Sequence, residues 1–144
     1  MRVSEIMTKD ITAVEREVPV RELIFILENA EMPNMPVVDE DGKLIGFISE
    51  RDIIRAALPG YFEMLHSASF LPDMNQLAKK LAQIADDPIE KYMHREVYYV
   101  TEDDDDLRAA ELIIREGVKN LPVVDHEGRL VGRVRRIDLL RHFL

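Results

Sequence analysis

The sequence predicts a mixed fold of strands and helices, built from two copies of one strand–helix–strand–strand–helix unit with a helical connector between them. Three observations predict it. Sliding the 144-residue chain by 86 positions superposes residues 3–58 on the second half without a gap. Met7 falls on Met93, Val14 on Val100, and NMPVVD (34–39) on NLPVVD (120–125). Gly42, Leu44, Gly46, Asp52, Arg55 and Leu58 fall on Gly128, Leu130, Gly132, Asp138, Arg141 and Leu144. A fixed internal period of this kind marks a repeated supersecondary unit. Within each copy, short apolar runs alternate with stretches at helical spacing. Finally, one copy of about 58 residues buries too little surface to stand alone, so the two copies should pack on each other.

Each element follows from local pattern. The first strand of each copy is expected at DITAV (10–14) and EVYYV (96–100). A helix follows. In the first copy Pro19 suits the first helical position, and Val20, Leu23, Ile24 and Leu27 recur at helical spacing. Ala109, Ala110 and Ile113 occupy the matching face of the second copy. Two strands joined by a tight turn come next, MPVVD-EDG-KLIGFIS and LPVVD-HEG-RLVGRVR, with Asp and Gly where a hairpin needs them. ERDIIRAAL and RIDLLRHFL close the copies as helices. The repeats therefore span 1–58 and 88–144, with 59–87 as connector. In the connector, Asp73 is placed to start a helix with Gln76 completing a capping box, and Met74, Leu77, Leu81, Ile84 and Ala85 form one apolar face that Pro88 ends. The aromatic-rich stretch 61–70 precedes it. A connector packed over the body is the favoured reading, and a lid or partner-docking element the other.

Composition excludes several function classes. With 47% apolar residues the chain can build a core, but it has no apolar run long enough to span a bilayer. The N-terminus MRVSEIMTKD carries charges where a signal peptide needs an apolar segment, which predicts a cytoplasmic protein away from the membrane. Zero cysteines exclude disulfides, thiolate catalysis and Cys-ligated zinc. A net charge of −9 argues against nucleic acid as a partner. Residues 89–144 carry 10 basic and 12 acidic side chains against 9 and 16 before them, so an anion site would draw on the second half.

The phrase GFISERD carries the candidate chemistry. Ser49 and Asp52 are three apart, the spacing of a helix capping box, worth on the order of 1 kcal/mol without any ligand. The same geometry offers a helix N-terminus to a phosphate and a carboxylate to ribose hydroxyls, and Gly46 lets a ligand approach the strand. The second copy, GRVRRID, keeps Asp138 but has Arg135 where Ser49 stood. Arg135 cannot cap as a serine does, so Asp138→Ala is expected to cost less stability than Asp52→Ala. With Arg133 and Arg136, Arg135 suits a phosphate chain or pairs with surface carboxylates.

These motifs, twice in register, resemble a tandem pair of CBS domains, the Bateman module, over nearly the whole chain outside 59–87. The resemblance implies an α+β fold of two β-α-β-β-α CBS repeats packed with pseudo-twofold symmetry. It also implies two clefts that hold adenosine-containing ligands, and a regulatory rather than catalytic role. Carried over residue by residue, one cleft would use Thr12, Met32, Pro33, Met35 and Pro36 with Arg133, Arg135 and Asp138. The other would use Tyr98, Val118, Lys119, Leu121 and Pro122 with Ser49 and Asp52. Met35 and Leu121 are equally compatible with core positions, and Tyr98 with an ordinary strand residue. Arg135 departs from the family's Ser/Thr at the phosphate end.

The remaining candidates are weaker. DDDD (103–106) fits the start of the helix LRAAELIIREG, with Thr101 as its N-cap, better than it fits Mg²⁺. His66, His94, His126 and His142 have no ligand spacing, and no nucleophile motif or P-loop is present. The expected function is therefore a non-enzymatic, homodimeric sensor. It binds AMP, ADP, ATP or S-adenosylmethionine as regulatory ligand, with no catalytic cofactor, on behalf of an unidentified regulated protein. The alternative is a ligand-free dimerisation or docking module. Apolar stripes at Ile53, Ile54 and Ala57 and at Leu139, Leu140 and Phe143 are the expected dimer faces.

Overall fold

The structure is a computed structural model and describes residues 1–58 and 75–142. The chain runs α1 (Val3–Ile6), β1 (Val14–Glu15), α2 (Val20–Ala30), β2 (Asn34–Val38), β3 (Leu44–Ser49), α3 (Glu50–Ala57), α4 (Gln76–Ile84), a 3₁₀ turn (Ile89–Lys91), β4 (Val100–Thr101), α5 (Asp106–Glu116), β5 (Asn120–Val124), β6 (Leu130–Arg135) and α6 (Arg136–Arg141). Both copies thus carry the expected β-α-β-β-α order. Each forms a three-stranded sheet, β1-β2-β3 and β4-β5-β6, with β1 parallel to β2 and β4 parallel to β5. The class is α+β. Among the described residues no helix is long and apolar enough to cross a membrane.

The first strands are much shorter than the runs 10–14 and 96–100 suggest. Val14 pairs with Val37 and Val100 with Val123, so extending either ladder backward would require N–H donors from Pro36 and Pro122. Proline has none, and the parallel ladder stops there. Asp10 instead folds on itself, accepting from the Thr12 backbone N–H at 2.9 Å and from its hydroxyl.

Contacts divide the chain into two compact units. One comprises Met1–Glu15, Pro36–Phe47 and Arg95–Leu144, the other Arg16–Met35 and Ile48–His94. The first unit packs Val3, Ile6, Val100, Ala109, Leu112, Ile113, Leu121, Val123 and Val134 into one core. The N-terminal segment is part of it: Val3 donates to the Asp104 carbonyl (2.8 Å), Ser4 to Glu102 (3.0 Å), and Thr8 and Arg133 exchange backbone hydrogen bonds of 2.8 and 2.9 Å. In the second unit the 3₁₀ segment repeats this arrangement 86 residues on. Ile89 donates to Val18 (2.9 Å) and Glu90 to Arg16 (3.2 Å), while Leu23, Met35, Ile48 and Ile89 are fully buried. Each repeat thus opens with a short segment that hydrogen-bonds the chain around the other repeat's first strand and helix. In the first unit the two hairpin turns also pair: Leu44 donates to Gly128 and Leu130 to Gly42, both at 3.0 Å. Gly42 and Gly128 hold φ of 80° and 84°, the left-handed conformation their turns require.

Several local expectations are corrected. Pro19 is the N-cap of α2, not its first residue. Asp105, not Thr101, caps α5, accepting from the Leu107 N–H at 3.0 Å; Thr101 lies in β4, four residues before the cap position. The connector helix starts after Asn75 and stops at Ile84, where Asp87 turns the chain before Pro88 is reached. None of its residues is buried, while Ala85 just beyond it is. Asp73, Met74, the stretch 61–70 with His66, and Phe143 and Leu144 lie outside the described residues. Of the expected dimer stripes, Ile53 and Ala57 are buried and Leu139 is partly buried; Ile54 and Leu140 are exposed.

Candidate functional site

The two aspartates of the repeated phrase are the buried charged residues of the described chain. At the start of α3, Asp52 Oδ2 accepts from the Ser49 backbone N–H (2.9 Å) and hydroxyl (3.0 Å), while Ser49 Oγ accepts from the Asp52 N–H (3.2 Å). This is the capping box read from the spacing. The other oxygen, Oδ1, faces His94 Nε2 at 2.6 Å and Arg55 at 3.6 Å. A carboxylate only accepts, so Nε2 carries the proton of the histidine bond.

At the start of α6 the pattern changes. Asp138 Oδ2 accepts from the Arg135 N–H at 2.8 Å, as Asp52 does from Ser49. Arginine has no acceptor to return to the helix, so the reciprocal half of the box is lost. Its guanidinium turns onto the carboxylate instead, Nε to Oδ2 at 3.2 Å and Nη2 to Oδ1 at 3.0 Å. Thr8 Oγ1 reaches both oxygens at 3.1 and 3.2 Å and accepts from Arg135, and Arg141 adds a further hydrogen bond to Oδ1. Asp138 has no solvent exposure. Burial pushes its carboxyl up, but the Arg135 guanidinium and N–H, with the Thr8 hydroxyl, outweigh this and hold it below the usual carboxylate range.

From spacing alone Asp138→Ala is expected to cost less stability than Asp52→Ala, but the structure gives Asp138 more hydrogen-bond partners than Asp52. Arg135 replaces one capping bond with a two-pronged ion pair, and charge-assisted bonds are roughly twice as strong as neutral ones.

The neighbouring arginine is also engaged. Arg133 lies 3.1 Å from Asp10 and donates to the Asn120 side chain at 3.2 Å, while its Nε is buried without a hydrogen-bond partner. Asp10 is held below the usual range chiefly by the Thr12 hydroxyl and N–H, with Arg133 and Arg135 adding to it.

A CBS domain model matches residues 3–59 and 89–144. The chain belongs to the CBS domain family. Its two matched segments form a tandem CBS pair, and solved CBS pairs share the fold. The CBS-pair protein CBSX2 from Arabidopsis thaliana superposes with a TM-score of 0.76 at 22% identity, over 99% of this chain and 93% of that one. The CBS domain pair of protein MJ0100, solved in complex with 5′-methylthioadenosine and S-adenosyl-L-methionine, superposes with a TM-score of 0.65 at 28% identity, over 99% and 95%. The uncharacterized protein MJ1426 of Methanocaldococcus jannaschii is 30% identical over 97% of this chain and 89% of its own length.

Within the first compact unit, Thr12 is exposed and tied to Asp10, and Pro36 is half-buried in β2. Leu121 and Pro122 are buried in β5, Val118 packs against the core and Lys119 is exposed. Tyr98 lines a cleft of about 490 Å³ with Val97, Tyr99, Asp104, Arg108, Leu112 and Arg115. A hydrogen bond to Glu116 raises its phenol pKa. In the second unit Met35 is fully buried, Met32 half-buried and Pro33 exposed, with the Pro33 carbonyl accepting from the Glu50 N–H at 2.9 Å. Met35 and Leu121 thus occupy core positions.

Residues that sequence reading did not place at the site touch the aspartates or their arginines, among them Thr8, Asp10, Arg55, His94 and Arg141. The register contained the signal. Thr8 and His94 are 86 apart, next to the paired Met7 and Met93, and each bonds the aspartate of the opposite repeat.

Proposed function

We propose that this CBS pair is a non-catalytic regulatory module that senses an adenosine-containing ligand, with Asp52 accepting the ribose hydroxyls and Ser49 and the α3 N–H groups turned toward the phosphate or its equivalent. The observation that carries this reading is the Asp52 carboxylate. It is anchored on one oxygen by Ser49, while the other faces side chains that are about half exposed and can yield. The MJ0100 pair, 28% identical, holds two adenosyl compounds, which supports the same ligand class here. Tyr98, Val118, Lys119, Leu121 and Pro122, and on the other side Thr12, Met32, Pro33, Met35 and Pro36, belong to the proposed purine-binding set. Binding would shift the population of conformations that an as yet unidentified partner reads, by the ligand's differential affinity for them. A cytoplasmic setting is part of this reading.

Titration calorimetry with AMP, ADP, ATP and S-adenosylmethionine tests it. At least one should bind, and Asp52→Ala should weaken that ligand about 10- to 150-fold, the cost of roughly 1.5–3 kcal/mol for a lost charged hydrogen-bond partner. If none binds, the chain is a docking module. Outward-facing Leu107, Ile114, Ile137 and Leu140 favour self-association under either outcome. Light scattering should return twice the 16.7 kDa chain mass.

A further inference from the structure

We propose that Arg135 plugs the second repeat's aspartate, so that the chain takes one adenosyl ligand, at Asp52, and not two. The proposal rests on the reading of Asp52 as ribose acceptor. A ribose diol needs acceptor lone pairs, and a carboxylate offers about four. On Asp138 they are taken from within. The Arg135 fork spans both oxygens, its N–H adds a third bond, Thr8 bridges both oxygens, and Arg141 binds Oδ1. A neutral hydroxyl cannot displace a two-pronged guanidinium, because the bonds it would replace are charge-assisted and the carboxylate has no solvent-facing surface to approach. Arg135 is moreover fixed from behind by its own bond to Thr8 Oγ1 at 3.2 Å.

The surroundings of Asp52 differ at two repeat positions, Ser49 for Arg135 and His94 for Thr8. Ser49 holds Oδ2 alone, and Oδ1 is left to His94, whose side chain is 46% exposed, and to Arg55, 63% exposed and 3.6 Å away. Both can swing into water as a ligand hydroxyl arrives. Arg55 and Arg141 are identical at matching repeat positions, and of the two exchanges it is Arg135 for Ser49 that puts a guanidinium across both carboxylate oxygens and closes one site. Replacing Arg135 by serine gives Asp138 the capping residue of Asp52.

The test is stoichiometry by calorimetry, with AMP and S-adenosylmethionine as probes. The parent should bind one equivalent. Arg135→Ser and Arg135→Thr should bind two, and Arg135→Ser combined with Asp52→Ala should bind one. Asp52→Ala alone should keep no site of parent affinity, only its own site weakened about 10- to 150-fold. Circular dichroism and a thermal melt establish that each variant is folded. The Asp52→Ala count, taken on a chain that keeps Arg135, decides the matter even if the Arg135 variants do not fold. Two equivalents in the parent, one equivalent of parent affinity in Asp52→Ala, or one in folded Arg135→Ser and Arg135→Thr overturns the plug and leaves the sensor reading standing. Absence of binding in the parent and every variant overturns the sensor reading and the plug with it.

Discussion

Replacing Asp138 by alanine should destabilise the protein more than replacing Asp52. Asp138 has no solvent exposure and accepts from Arg135, Thr8 and Arg141. Breaking a fully buried pair costs about 3–5 kcal/mol when the remaining charge is stranded. Here the stranded charges are partly wet, with the Arg135 side chain 35% and Arg141 53% exposed, so they regain hydration. The expected loss falls to about 2–4 kcal/mol. For Asp52 the capping box contributes about 1 kcal/mol and the exposed His94 and Arg55 pairs at most about 1 more, giving a loss of about 1–2 kcal/mol. Urea denaturation at pH 7 measures both, with unchanged slope as the check that only stability moved. The pH dependence follows from the Asp138 carboxyl lying below its ordinary value. A depressed folded-state pKa stabilises the fold above the unfolded pKa of about 4, and that contribution fades as pH falls through the lower folded value. The gap between parent and Asp138→Ala should therefore be full at pH 7 and narrow below about pH 4. A loss no larger than that of Asp52→Ala, or a gap that widens in acid, would refute the reasoning.

Three further outcomes are expected. Glu31 ends α2 in the left-handed region at φ 53°, where its repeat partner after α5 is Gly117 at 66°; Glu31→Gly should stabilise by about 0.5–1 kcal/mol in thermal or urea unfolding, since the relieved strain exceeds the added unfolded-state entropy. A Cβ on Gly132 would lie 2.7 Å from the Thr8 carbonyl oxygen and 3.0 Å from Met7 Sδ, so Gly132→Ala should cost about 1–3 kcal/mol and loosen the N-terminal segment in hydrogen exchange. The Tyr92 hydroxyl donates to Asp87 at 2.6 Å; that bond, then burial and the Asp87 charge, push its pKa up to about 12. The bond's stabilisation is present below the unfolded pKa of about 10 and lost as pH rises through about 12, and the 295 nm difference between parent and Tyr92→Phe should step near 12 rather than 10.

How legible each feature was depended on how many residues encode it. The hairpins and helices were readable because turn glycines and apolar spacing act within a few positions, and the 86-residue shift checked each copy against the other. The first strands were overread because their length is set by Pro36 and Pro122 on the partner strands, not by the β-branched and aromatic residues in the runs themselves. The capping box at Ser49 was readable from spacing alone. Its counterpart was not: nothing in GRVRRID says that the Arg135 side chain folds back on Asp138 rather than outward to solvent. That choice depends on Thr8, 127 residues away, and on Arg141, which together make the carboxylate buried and strongly anionic.

The two copies diverge where they touch the aspartates and agree where they hold the fold. In the first unit the turn-to-turn bonds Leu44 to Gly128 and Leu130 to Gly42 match to 3.0 Å. The segments that open each repeat dock through the same register: Val3 to Asp104 answers Ile89 to Val18, and Ser4 to Glu102 answers Glu90 to Arg16. Against this shared frame, Thr8 stands opposite His94 and Arg135 opposite Ser49, and all four contact Asp52 or Asp138. Loss of the cap alone would leave a buried carboxylate short of donors, a costly state. Arg135 brings its own donors, and Thr8 Oγ1 hydrogen-bonds both the guanidinium and the carboxylate. The two exchanges are complementary, and they set one aspartate apart from the other while the backbone frame around both stays the same.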